Sequence, residues 1–179
     1  MRSLSLHLLQ LILLLTGVVG FTSCSGDSYI NAIPSDVTAI MTVNTPKSFI
    51  DYKGVDLGSD IYLFEDADGN LGACASLNDG DALAKYFEEQ SGKGICEKVQ
   101  EKRGFRFTLL ANGFLAGFSD NALLLMGPLV ESDKAEMINR MAKLLKQDDE
   151  ASVKNSKIFQ VLDSLGGERK MVARVDALP

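Results

Sequence analysis

Beyond residue 29 the chain switches between two periodicities of apolar and polar positions, and the switches mark its elements. Pro34 and Asp36 read as a turn, and the β-branched-rich run from Val37 to Val43 reads as a strand. Thr45 and Pro46 then start a short helix that ends by Gly54, because threonine caps well and proline is tolerated at the first helical position. Residues 61–64 and 71–77 are two strands joined through Asp66-Ala67-Asp68-Gly69-Asn70, where Gly69 accepts positive φ without steric cost. Asn78-Asp79-Gly80-Asp81 caps a helix to about residue 90, with Leu83, Tyr86 and Phe87 on one face at helical spacing.

From residue 95 the pattern becomes a meander. Residues 95–101 read as an edge strand. Phe105, Phe107 and Leu109 alternate with Arg106 and Thr108, the period of a half-buried strand. Asn112-Gly113 reads as a type I′ turn into a strand over 114–118. After Ser119-Asp120-Asn121, residues 122–126 are apolar throughout, as in a central strand, until Gly127-Pro128 stops them. Asp133 and Glu136 form a capping pair for a helix to about residue 147, whose inner face carries Met137, Ile138, Met141, Leu144 and Leu145. A solvated charged loop follows over 147–150. Ser156 caps a last helix that turns Ile158, Phe159, Leu162 and Leu165 inward and stops at Gly166-Gly167, and 171–175 is a final strand. Hairpins and a meander with helices inserted between them predict an α+β fold: an antiparallel sheet with helices packed mainly on one face.

The first two dozen residues follow neither period. Arg2 precedes a greasy run that includes Leu8, Leu9, Leu11, Ile12, Leu13, Leu14 and Leu15. A spanning helix needs about 20 apolar residues; this run is shorter and is interrupted by Gln10, Thr16 and Gly17, so it reads as a secretion signal. Phe21-Thr22-Ser23-Cys24 closes it with small residues before a cysteine and resembles the bacterial lipobox. That resemblance implies that Cys24 becomes the mature N-terminus and is acylated on sulfur. Several acyl chains on one residue hold a membrane stably, where one chain is marginal. Residues 25–28 read as a small polar tether, and Asp27 resembles, weakly, the export signal of surface lipoproteins.

Composition narrows the chemistry. The only histidine, His7, is lost with the signal, which removes Ser-His-Asp and Cys-His catalysis and histidine ligation of zinc. The formal net charge of −6 disfavours nucleic acid as a partner. Loss of Arg2 deepens that charge, so membrane attachment falls to the acyl chains. Cys74 and Cys96 sit in no metal-ligand spacing, and whether they pair is open. Asp66, Asp68 and Asn70 match the first half of a calcium loop, but Leu71 and Leu77 stand where that loop needs glycine and a bidentate glutamate. The better reading is a solvated hairpin turn. No catalytic, cofactor-binding or metal-ligating residue is assigned.

Several stretches together resemble a family of Bacteroidales lipoproteins of unknown function: Tyr29-Ile30-Asn31-Ala32-Ile33-Pro34-Ser35-Asp36, Gly94-Ile95-Cys96, and Asp120-Asn121-Ala122-Leu123-Leu124-Leu125-Met126-Gly127-Pro128. The resemblance implies no activity and no site residues. It implies a chain organised as signal (1–23), lipidated tether (24–29) and one α+β domain (30–179) that is the N-terminal unit of a longer architecture. The expectation is a non-enzymatic binding protein anchored in the bacterial outer membrane through Cys24, facing the periplasm or the cell surface. Two alternatives stand beside it: a carboxylate-dependent hydrolase acting on glycans, and a structural unit of a larger envelope lipoprotein.

Overall fold

Eight strands pair antiparallel into one open sheet in the order β4-β5-β6-β7-β3-β2-β1-β8. They are β1 (Val37–Val43), β2 (Ile61–Asp66), β3 (Leu71–Ser76), β4 (Gln100–Lys102), β5 (Phe105–Leu109), β6 (Leu115–Phe118), β7 (Ala122–Gly127) and β8 (Met171–Ala173). The computed structural model describes residues 25–43 and 53–174. The helix expected after Thr45 and the end of the last strand at Val175 lie outside the described residues. Within them the chain is α+β, as its pattern predicts.

Two meanders make the sheet. β1-β2-β3 and β4-β5-β6-β7 lie side by side because β7 pairs with β3 along its whole length, Leu71 to Gly127 through Ser76 to Ala122. The connection from β3 to β4 carries helix α1 (Gly80–Ser91) across one face. The return from β7 carries α2 (Lys134–Leu144) and α3 (Lys157–Ser164) across the other face to the far edge, where β8 pairs with β1. A 3-10 helix over Ser25–Ala32 opens the described chain and lies against β3 and β7 at the sheet centre.

This arrangement makes two cores of unequal size. On the face of α2 and α3, Ile33, Ile40, Leu115, Leu124, Met126 and Met141 are essentially fully buried. On the face of α1, Leu83 and Phe87 pack with Ala116, Phe118 and Leu123. The central strands therefore have apolar cover on both sides, which explains why the 122–126 run lacks alternation.

Several local expectations change for stateable reasons. Thr108, placed on the polar phase of its strand, is 1% exposed because that phase, shared with Ala116 of β6, faces the core on the α1 side; its hydroxyl donates to the Glu97 carbonyl at 2.7 Å. The edge strand begins only at Gln100, with a single bridge from Cys96 to Leu110 ahead of it. Asn112-Gly113 is not a type I′ turn, since only Gly113 has positive φ. Gly113 N–H donates to the Leu110 carbonyl and Leu110 N–H to Phe114, a three-residue loop. The I′ geometry falls instead between β4 and β5, at Arg103 (φ 56) and Gly104 (φ 74). Asp133 makes no side-chain cap, because a 3-10 turn over Glu131–Asp133 runs straight into α2 and holds Asp133 in the helical region. The side chain cannot swing back to the N3 amide from there. Leu165 is 38% exposed, since α3 ends at Ser164 and the backbone turns extended at Leu165.

Glycine is required at one close approach between β2 and β3. Gly72 lies opposite Phe64, and a Cβ there would stand 2.1 Å from the ring carbon Cζ. The ring covers the bare backbone and is itself 4% exposed, so it has nowhere to move. Gly72→Ala is expected to destabilise the fold by about 1–3 kcal/mol through overpacking, read as a lower urea midpoint at unchanged slope.

Candidate functional site

The opening 3-10 helix follows Cys24 directly in the chain. Cys24 itself lies outside the described residues. Residues 25–28, expected to be a free polar tether, already form the start of this helix, and Asn121 donates to the Ser28 hydroxyl at 2.8 Å. Tyr29 is 3% exposed and donates its hydroxyl proton to the Asp60 carbonyl at 2.8 Å. Its ring meets Tyr62 at 6.1 Å, and Tyr62 meets Phe159 of α3 at 6.0 Å. A 3-10 helix rises about 2 Å per residue, so Ser25 stands roughly 8 Å from a residue of the core. The start of the described chain is thus attached to the body almost without slack.

The two remaining cysteines face opposite sides of the sheet and are both free and buried. Cys74 donates its thiol proton to the Tyr29 carbonyl at 3.2 Å, and Cys96 donates to the Phe87 carbonyl at 3.3 Å. Burial pushes the Cys74 thiol far above its ordinary range. Both behave as small core residues rather than nucleophiles.

Carboxylates gather in two places, each around a guanidinium. Arg140 on α2 reaches Asp68 at 2.8 Å, Asp66 at 3.1 Å and Asp36 at 3.5 Å. Asp66, expected in a solvated turn, is instead buried: its carboxylate accepts the backbone N–H groups of Asp68 and Asn70 and the Asn70 amide. The hairpin tip folds over its own aspartate because the bare loop amides need an acceptor and Arg140 balances the charge. Arg106 reaches Asp81 at 2.6 Å and Asp120 at 3.8 Å, and lies 5.1 Å from the Phe118 ring centroid. These residues line a shallow cleft of about 290 Å3 with Glu101. A glycosidase acid sits in an apolar pocket away from cations. The buried Asp66 has a cation beside it, and Asp81 and Asp120 are solvated.

The 147–150 loop is also tied down. Gln147 donates its side-chain amide to the carbonyls of Asn31 and Ile33, clamping the opening helix to the end of α2. Hydrogen bonds from Asn31 and Lys154 hold the exposed Asp149 below the usual carboxylate range.

The clearest unfilled surface lies around β8. A cleft of about 430 Å3 separates β8 from α3, with Ile158, Val161 and Val172 as apolar walls and Lys157 at its rim. On the opposite face of the sheet a depression of about 180 Å3 is walled by Met41, Leu63, Leu71 and Met171. Among the described residues no helix covers that end of the α1 face. Seven large hydrophobic side chains are exposed among the described residues, and four of them line these two depressions: Leu63, Leu71, Val161 and Met171. The alternation in β2 shows this in advance, since Leu63 falls on the phase opposite to Tyr62 and Phe64.

Two outcomes check this description. Arg140→Met leaves buried Asp66 without its cation and is expected to cost about 1–3 kcal/mol, measured by chemical denaturation. Burial, then the charge of Asp60, pushes Tyr62 up to about 12, and burial raises Tyr29 further. Both values lie above those of the unfolded chain, so their contribution is complete below pH 10 and is lost as pH rises through about 12, where the unfolded state ionises first. Urea midpoints are expected to fall across that alkaline window, and less steeply in Tyr62→Phe.

Comparison with protein-family models, with curated proteins and with solved structures found no match to this chain.

Proposed function

We propose that this chain is a bacterial envelope lipoprotein, held in the outer membrane by acyl chains on Cys24, whose folded body is a non-enzymatic interaction module. The observation that carries this reading is the lipobox-like Phe21-Thr22-Ser23-Cys24 standing immediately ahead of a helix whose fourth and fifth residues, Ser28 and Tyr29, are docked on the body. An anchor placed there holds the domain close to the bilayer rather than on a long leash. No helix among the described residues is long and apolar enough to cross a membrane. The likeness to Bacteroidales lipoproteins belongs to the same proposal.

The structural-unit alternative keeps one specific support. Apolar side chains stand exposed beside the last strand, Met171 at 63% and Leu71 at 50%, where a following or neighbouring unit would pack.

The test is Cys24→Ser expressed in a Bacteroidales host with metabolic palmitate labelling. The label is expected to disappear and the protein to leave the outer-membrane fraction. Unlabelled wild-type protein, or a Cys24→Ser variant still fractionating with the outer membrane, would overturn the anchor.

A further inference from the structure

The far edge of the sheet is β8, the outermost of the described strands. β8 bonds to β1 through alternate residues: Thr42 N–H donates to the Lys170 carbonyl, Arg174 N–H donates to the Thr38 carbonyl, and Val172 lies opposite Ile40 between them. In an antiparallel ladder the intervening residues point their main-chain groups the other way. Met171 and Ala173 therefore present N–H and C=O groups outward, along an edge to which no other described strand pairs. The opposite edge differs. All three residues of β4 are exposed, and Glu101 and Lys102 are charged, which is how natural proteins blunt an edge. β8 reads Met-Val-Ala, and the charged residues flanking it, Lys170 and Arg174, are ones whose main chain bonds to β1.

Side-chain space alternates on the two sides of this edge in the manner that an added strand requires. Residues of one phase would enter the cleft between β8 and α3, against Val161, Ile158 and Val172. Residues of the other phase would lie beside Met171, which is in register with Met41 and, through it, Leu63. Main-chain bonds supply affinity and alternate pockets supply selectivity in this mode of recognition.

Charge selects the occupant. The seven residues from Glu168 to Arg174 hold three cations, Arg169, Lys170 and Arg174, and one anion, within a chain of net charge −6. Lys157 adds another cation at the rim of the cleft, and the carboxylate that lines it, Asp36, is paired with Arg140 at 3.5 Å. A second copy is disfavoured, because antiparallel self-pairing centred on Val172 sets Lys170 opposite Arg174 of the other chain, and like charges facing across strands repel. We propose that the β8 edge binds an extended segment of a partner polypeptide, apolar at alternate positions and acidic at its ends, by strand addition. This deepens the interaction-module reading and rests on it.

The probe is a fluorescein-labelled peptide alternating valine and threonine with a glutamate near each end, titrated into the full chain in detergent. Saturable binding is expected, at least tenfold tighter than that of the same peptide with lysine for glutamate. Ala173→Pro removes only an outward N–H, so it spares the β1–β8 ladder and is expected to weaken binding at least tenfold. Val161→Glu, on the cleft wall, is expected to do the same. In wild-type protein, hydrogen exchange at the Met171 and Ala173 amides is expected to slow when peptide is present; this readout does not depend on any variant folding. Absence of binding, binding indifferent to Ala173→Pro, or unchanged exchange at both amides would overturn the proposal. So would self-association that Ala173→Pro abolishes, since the occupant would then be a second copy. Palmitate labelling and fractionation do not depend on β8, so failure here leaves the anchor to be judged separately.

Discussion

An eight-stranded sheet has two faces to keep from water, and this chain covers them unequally. The opening 3-10 helix, α2 and α3 share one face from the centre to the β8 edge. On the other face α1 covers the strands around β6 and β7, and the described helices leave β2, β1 and β8 bare. Burial of apolar area is worth about 25 cal/mol per Å2, so exposed Leu63, Leu71 and Met171 represent stabilisation left unused by the described fold. The two-sided core of β6 and β7, the depression at the far end and the open β8 edge all follow from that one mismatch.

The polar contacts serve the same frame. A buried carboxylate is tolerated only where hydrogen bonds and a counter-charge replace its water. Asp66 meets this condition by gathering its own loop amides and Arg140, and in doing so it fixes the β2–β3 hairpin tip to α2. Gln147 fastens the other end of α2 to the opening helix. The segment that follows Cys24 is therefore clamped from both the sheet and α2.

Much of the fold was legible in local pattern. β1, the β2–β3 hairpin, α1 with its Asp79 cap and the apolar β7 are all where periodicity and turn chemistry put them. The errors share a cause. Thr108 reads as a solvent-facing threonine until the core on the α1 side closes over its phase of the strand. Asp66 reads as a solvated turn residue until Arg140, distant in sequence, arrives beside it. Residues 25–28 read as tether because their composition is small and polar, yet Asn121 and the sheet centre hold them. In each case a residue's environment is supplied by a segment far along the chain, which no window of neighbours contains.

By itself, then, the sequence determined the α+β class and most strand and helix positions, and it made Cys24 a candidate for acylation. Each depends on residue identity and short spacing. The tertiary structure alone decided that β7 lies against β3, that β8 is the outermost described strand, and that the described residues leave apolar side chains uncovered on both sides of it. Those are consequences of strand order, and strand order is set by which faces can be buried together across the whole chain.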